Sequence, residues 1–238
     1  MKKSAVLGLM LAILFPLTGY YLVKYFSADA IHMPKKYFFD SVNMVEKKGK
    51  LVPDTVWHKV KNITLTNQLG KTFNLDSVKG KILVINFFFT KCPTICPGLA
   101  RSMKKLQDSY TNSKDSIVQF ISISIDPDRD SVPLLRGFAN RYTHNHDSWW
   151  FATGNKKEIY DFAIHELKAN VADVGADTAF PHTENFFIVD KDRYVRGWYN
   201  GFDTVKQSEL VKAIPLLMLE KTKKRSFSDF IKELFSRS

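Results

Sequence analysis

Residues 81–97 read Lys-Ile-Leu-Val-Ile-Asn-Phe-Phe-Phe-Thr-Lys-Cys-Pro-Thr-Ile-Cys-Pro, and this stretch decides the fold. Lys81 to Thr90 is nearly continuous in apolar residues, as a strand covered on both faces must be; a strand with one wet face alternates instead. The remainder holds both cysteines of the chain, Cys92 and Cys96, with three residues between them and a proline after each. An open α/β sheet holds its ligands at the carboxyl ends of its strands, where the next helix begins. Unpaired N–H groups and the dipole at a helix start favour thiolate, so two sulfurs placed there are poised for chemistry.

Working outward, Leu99 to Tyr110 has helical spacing, and Ile117 to Ile125 is a second β-branched run. Asp130 or Ser131 is positioned to cap a helix running through Arg141. Trp149 to Thr153 reads as a short strand and Lys156 to Lys168 as a helix. Thr183–Val189 and Tyr194–Tyr199 flank the turn Asp190-Lys191-Asp192, and Val205 to Leu219 closes as a helix whose regularity Pro215 limits. On the other side, Val60 to Thr66 and Thr72 to Leu75 flank Gln68-Leu69-Gly70-Lys71 as a hairpin. Strands alternating with helices, then a hairpin and a last helix, predict an α/β domain over residues 53–220 with the order of a thioredoxin-like fold.

The two ends have different chemistry. After basic Lys2 and Lys3, Ser4 to Val23 carries no charge for twenty residues. As a helix this run is about 30 Å long, the thickness of a bilayer's hydrocarbon core. Residues 1–30 therefore read as a single-pass membrane anchor, with Tyr20, Tyr21 and Tyr25 at one interface. The competing reading is a cleaved signal segment, since Ala28-Asp29-Ala30 has the form of a cleavage site. Either one exports the rest of the chain, and with the anchor retained the expected location is the inner (cytoplasmic) membrane of a bacterium with the domain on the periplasmic side. Residues 31–52, lysine-rich and weakly patterned, read as a linker. Residues 221–238 carry six basic and two acidic side chains, with Phe227, Phe230, Ile231, Leu234 and Phe235 at helical spacing. They predict a basic amphipathic tail that lies on a membrane or docks on its own domain.

Thirty-five basic against twenty-four acidic residues give a formal charge of +11, which the two ends localise near a membrane. No Gly-rich phosphate loop, zinc-finger spacing or aromatic RNA-binding motif is present, so nucleic acid is not an expected partner. A hydrophobic content of 45% excludes a disordered chain, and two cysteines exclude a disulfide-stapled scaffold. Three readings of the cysteine pair stay open: a structural disulfide, a thiol–disulfide exchanger, and a copper site. The first closes too small a loop to constrain much. The second usually has two intervening residues rather than three. The third uses two soft thiolates suited to Cu(I), and one imidazole added to them also accommodates Cu(II).

Six histidines are candidates for that imidazole. His32 and His58 fall in or near the linker, His165 lies within a predicted helix, and His144 and His146 sit in a polar loop. His182, in Ala179-Phe180-Pro181-His182-Thr183, enters a predicted strand on the sheet edge that holds the cysteine turn, so it is the best-placed third ligand.

These features together carry a family resemblance. Phe-Phe-Phe-Thr-Lys followed by Cys92-Pro93-Thr94-Ile95-Cys96-Pro97 resembles the CPxxCP signature of the Sco/SenC family. Asp126-Pro127-Asp128-Arg129-Asp130 resembles its second signature, and His182 before an apolar strand its third. The resemblance implies a membrane-anchored, thioredoxin-like metallochaperone that delivers copper to the binuclear copper site of cytochrome c oxidase, with Cys92, Cys96 and His182 as ligands. It also implies two partners, the copper-accepting oxidase subunit and a thiol reductant for Cys92 and Cys96. The enzymatic alternative is a thiol–disulfide oxidoreductase acting on the acceptor's cysteines, in which Cys92, the more exposed of the pair, attacks and Cys96 resolves. Asp126 and Asp130 are expected to cap the next helix and shape the rim of the site. Thr94 and Pro181 stand where the family often has acidic residues, which is expected to favour Cu(I) over Cu(II).

Overall fold

The computed structural model describes residues 3–27, 33–47, 49–110, 117–171 and 183–220; the side chains of 3–7, 9, 26, 27 and 47 are outside that description. The chain divides between Met33 and Pro34 into two compact units. The first contains α1 (Lys3–Ser27), which has Pro16 in its interior. The hydroxyl of Thr18 donates to the Phe15 carbonyl at 2.9 Å, giving that carbonyl a partner near the proline. Among the described residues no helix is long and apolar enough to cross a membrane. Part of the expected span, Ser4 to Leu7 and Leu9, falls outside the described side chains, as do Ala28-Asp29-Ala30 and the tail 221–238. The described apolar side chains of α1, among them Phe15, Leu22 and Val23, are exposed.

The second unit begins with a hairpin of β1 (Phe39–Lys47) and β2 (Lys50–Trp57). There follow β3 (Thr64–Asn67), β4 (Thr72–Asn74), β5 (Ile82–Phe88), α2 (Ile95–Tyr110), β6 (Val118–Ser124), α3 (Val132–Ala139) and β7 (Trp149–Thr153). Then come α4 (Lys156–Asp161) with a π-helical turn at Phe162–Glu166, β8 (Asn185–Val189), β9 (Val195–Asn200) and α5 (Thr204–Leu219). Seven strands form one sheet in the order β4-β3-β7-β6-β5-β8-β9. The central β7, β6 and β5 are parallel, while β3, β8 and β9 join antiparallel. Every residue of β5 and β6 is buried, the largely apolar β5 together with β6, which also takes Gln119, Ser122 and Ser124 inside.

Three polar side chains pin the register inside this core. Asn86 lies opposite Ser122, whose hydroxyl donates to Asn86 Oδ1 at 2.6 Å and accepts from Trp149 Nε1 at 2.9 Å. A one-residue slip would bury all three without partners, at about 1–3 kcal/mol each.

Three expectations change. Residues 31–52 are not a plain linker: within them β1 and the start of β2 form a hairpin, and the segment before it docks on β9. The Tyr37 N–H donates to the Val195 carbonyl at 3.2 Å, and the Phe38 ring stacks on Trp198 with centroids 5.8 Å apart. The helix after Ser131 stops at Ala139 rather than Arg141, and the Ser131 side chain makes no cap bond. The helix read as Lys156–Lys168 is α4 and its π-helical turn, ended by Lys168 at φ 54°.

At the start of β9 the buried Arg196 guanidinium joins the segment before the β1–β2 hairpin to the residue after α5. It donates to the Pro34 carbonyl at 2.9 Å, pairs with Asp190 Oδ2 at 2.6 Å and pairs with Glu220 Oε2 at 2.7 Å. Because β9 runs in the same direction as β5, this corner and the carboxyl end of β5 lie at opposite ends of the sheet. Seven residues of β5 separate them by about 20 Å.

Candidate metal centre

β5 delivers the chain into a tight turn in which the Cys92 N–H donates to the Phe89 carbonyl at 3.2 Å. Helix α2 starts three residues later and places Cys96 in its first turn. The Cys96 N–H then points at Cys92 Sγ, 3.3 Å away. Both residues are free thiols. Cys92 is 5% exposed and Cys96 3%: Cys92 is the more exposed of the pair, as expected, but only slightly, and both residues are buried in the core.

Electrostatics, not exposure, tells the two apart. The Cys96 thiol donates to Cys92, and the backbone N–H groups of Cys96, Thr94 and Ile95 add to it; together they overcome burial and pull Cys92 down to about 5. Cys96 moves the other way, because its proton is held in that bond and its sulfur is buried. The turn therefore presents one thiolate and one thiol at neutral pH. Two soft sulfur donors at a helix start fit a soft cation.

Asp130 fastens this turn from behind. Its carboxylate accepts from the Thr90 N–H at 3.0 Å, the Thr90 hydroxyl at 2.5 Å and the Ser124 hydroxyl at 2.5 Å. It thereby ties the two residues after β5 to the end of β6. Neither Asp130 nor Asp126 caps α3 as expected: Asp126 instead accepts from Arg129 Nε at 2.5 Å. Asp130's partner Thr90 lies forty residues upstream in sequence, so local reading assigns Asp130 to the nearest helix.

The corner between β9 and α5 closes over the first turns of α2. Ser102 Oγ donates to the Gly201 carbonyl at 2.9 Å, and the Gly201 N–H donates to the Glu184 carbonyl at 2.7 Å. A Cβ on Gly98 would stand 2.5 Å from the Phe202 ring, and one on Gly201 would collide with Leu99 Cδ2. Glycine at both positions lets the corner press against the cysteine helix.

His182 lies outside the described residues. The strand that follows, β8, runs antiparallel to β5 and so starts at the sheet edge where β5 ends in the cysteine turn. Among the described residues no three His, Cys, Asp or Glu side chains gather in a metal-binding group. His144 and His165 are exposed, and His146 faces the Gln68 amide at 3.2 Å. His58, assigned by sequence to the linker region, bridges two carboxylates: Nδ1 meets Asp40 at 2.7 Å and Nε2 meets Glu166 at 2.9 Å. No local pattern could reveal that bridge, since Glu166 is 108 residues away.

With the turn in place, comparison with known proteins settles the family. The family model described as SCO1/SenC matches residues 57–218. The chain belongs to the SCO1/SenC family. A relative within reach of close comparison is the "SCO1 protein homolog" of Bacillus subtilis, 32% identical over 167 residues that cover 70% of this chain and 86% of that one. The solved structure of BsSco, titled for a disulfide switch in a member of the Sco family of cytochrome c oxidase assembly proteins, has a TM-score of 0.61 and 33% identity. It covers 68% of this chain and 95% of its own. The structure of Bradyrhizobium japonicum ScoI with copper bound shares the fold at a TM-score of 0.52, with 24% identity over 67% of this chain and 98% of that one. The thioredoxin-like α/β reading of this SCO1/SenC chain is thus borne out, and its matched segment contains both cysteines and His182.

Proposed function

We propose that this chain is a membrane-tethered copper carrier that hands copper to the copper-accepting subunit of cytochrome c oxidase. The observation that carries the reading is the Cys92–Cys96 turn, where two buried cysteines meet at a helix start and the Cys96 N–H points at Cys92 Sγ, 3.3 Å away. Cys92 is a ready donor as a thiolate. Cu(I), held here as cargo, takes the place of the Cys96 proton, and His182 completes the ligand set. Asp130 keeps the turn from relaxing between loading and release. Ligand exchange then passes the ion on. Oxidation of the pair to a disulfide removes two electrons and the one proton the pair holds and abolishes the soft donors, so a thiol reductant must restore them.

The tether is α1, placed in the inner membrane of a bacterium with the domain on the periplasmic side; uncleaved, it raises the effective concentration of carrier near a bilayer-bound oxidase. The basic tail is a second contact with the same membrane. A thiol–disulfide oxidoreductase is the second reading, favoured by the depressed Cys92. Copper stoichiometry on the reduced full chain, beside Cys92→Ser and His182→Ala, separates the two. The carrier reading expects about one copper per chain, lost in Cys92→Ser and weakened in His182→Ala. A reduced chain that retains no copper, yet cycles its disulfide readily, would establish the oxidoreductase.

A further inference from the structure

The β9–α5 corner leaves an aromatic ring in water beside the cysteine turn. Phe202 is 44% exposed, and its ring lies over Gly98 in the first turn of α2, two residues beyond Cys96. Val205, three residues on, is exposed as well. The backbone beneath the ring is fixed: the Phe202 N–H donates to Asn200 Oδ1 at 2.8 Å, and Asn200 Nδ2 donates to Glu184 Oε2 at 2.9 Å.

Cations flank this ring. Gly98, Arg101 and Lys105 follow at three and four residues and so share a face of α2. Arg101 and Lys105 are exposed, as is Lys91 just before Cys92, and none of the three makes an ion pair among the described residues. The acids on this side are engaged already. Asp108 pairs with Lys104 and Glu209 with Lys206, while Asp203 caps α5 by accepting from the Val205 and Lys206 N–H groups. Asp126 and Asp128, after β6, pair with Arg129 and Lys156.

The burial of both cysteines says what must cover the ring. Copper held between them leaves by ligand exchange only if the acceptor's own ligands come within bonding distance of it. Even a small transient protein contact covers about 600 Å² on each partner, a disc roughly 14 Å in radius. Centred on the cysteine turn, such a disc takes in a ring packed one turn away. An aromatic centre with a charged border is also the composition of an interface.

We propose that Phe202, with Lys91, Arg101 and Lys105 around it, is the surface on which an acidic protein acceptor docks to take copper from the cysteine turn. The inference rests on the carrier reading and adds the acceptor's chemistry to it: a hollow for one aromatic ring, bordered by aspartate and glutamate.

The test loads the reduced full chain, in detergent, with one Cu(I). It follows copper loss to the apo copper-accepting domain of cytochrome c oxidase from the same organism, or to dithiothreitol, a small neutral competitor. Full loading of each variant shows that it is folded. Phe202→Ala and Arg101→Glu should each slow transfer to the domain about tenfold and leave loss to dithiothreitol unchanged. Lys79→Glu makes the same charge change at the far end of β5 and should leave both rates unchanged, while added salt should slow wild-type transfer. Transfer that neither Phe202→Ala nor Arg101→Glu slows keeps the carrier and overturns the docking surface. Equal slowing by Arg101→Glu and Lys79→Glu reduces the effect to net charge and overturns it too. Slowing by Phe202→Ala alone overturns the acidic acceptor, and slower loss to dithiothreitol would mean that the ring acts on the copper site itself. A wild-type chain that holds no copper, or yields it to dithiothreitol and never to the domain, overturns the carrier reading as well.

Discussion

Cys92 and Cys96 sit four residues apart in one turn, yet their protons behave oppositely, and the pH dependence of the reduced protein should report it. Alkylation of Cys92 by iodoacetamide, read by mass spectrometry, should rise with pH through about 5 and then level off, while Cys96 stays unlabelled at neutral pH. The sign for stability follows from the same depression. Between about 5 and the ordinary thiol value of 9.0 the unfolded chain holds the Cys92 proton and the folded one does not. Stability relative to Cys92→Ser should therefore increase with pH across that window and be lost as pH falls through about 5. Urea unfolding at several pH values measures it; a flat difference would mean that Cys92 is not a thiolate in the fold. Asp130 offers a second test at this scale. Asp130→Asn turns an acceptor of three hydrogen bonds into a group whose N–H₂ faces those donors, at about 2–3 kcal/mol. Asp126→Asn, whose Arg129 partner is half exposed, should cost under about 1 kcal/mol.

Among the elements, the meeting of α2 with the β9–α5 corner separates two glycines that look alike in sequence. At Gly201 a methyl group would press on Leu99 and Phe186, both fully buried, so Gly201→Ala should lower stability by about 1–3 kcal/mol. At Gly98 the obstacle is the outer edge of Phe202, a ring 44% exposed and free to swing away. Gly98→Ala also gains helix propensity, so it should be nearly neutral by thermal denaturation. Equal losses at both positions would show that Phe202 is held as firmly as Leu99. Sequence reading succeeded with β5 because a strand buried on both faces is nearly continuous in apolar residues, and with β6 because its β-branched run survives the buried Gln119, Ser122 and Ser124. It missed β1 and β2 because period-two alternation is written only when one face meets a core, and this hairpin has exposed side chains on both. The cysteine pair was legible because it is local. The roles of Asp130 and His58 were not, since each is defined by a partner brought close only by the sheet.

For the whole molecule, the Arg196 corner sets how the second unit is held together. Its guanidinium is 4% exposed and serves Asp190, Glu220 and the Pro34 carbonyl at once. Arg196→Leu would leave Asp190 buried without its cation, at about 3–5 kcal/mol in chemical unfolding. Arg196→Lys should recover little, because a single ammonium cannot fork to three acceptors. A loss below about 1 kcal/mol would instead mean that water replaces the cation at this corner.

The same corner has a topological consequence. Residues 34 and 220 are each within hydrogen-bonding reach of one side chain, so the stretch between them is nearly a closed ring of polypeptide. In a chain cut to residues 34–220, a short peptide bridge joining the two ends should leave every strand and helix where it is, and a new opening could then be cut in a surface turn such as Gln68–Lys71. The cysteine turn, at the far end of the sheet from that seam, should not register the change. In mechanical terms the unit is suspended from one point, with its chemistry carried at the opposite pole.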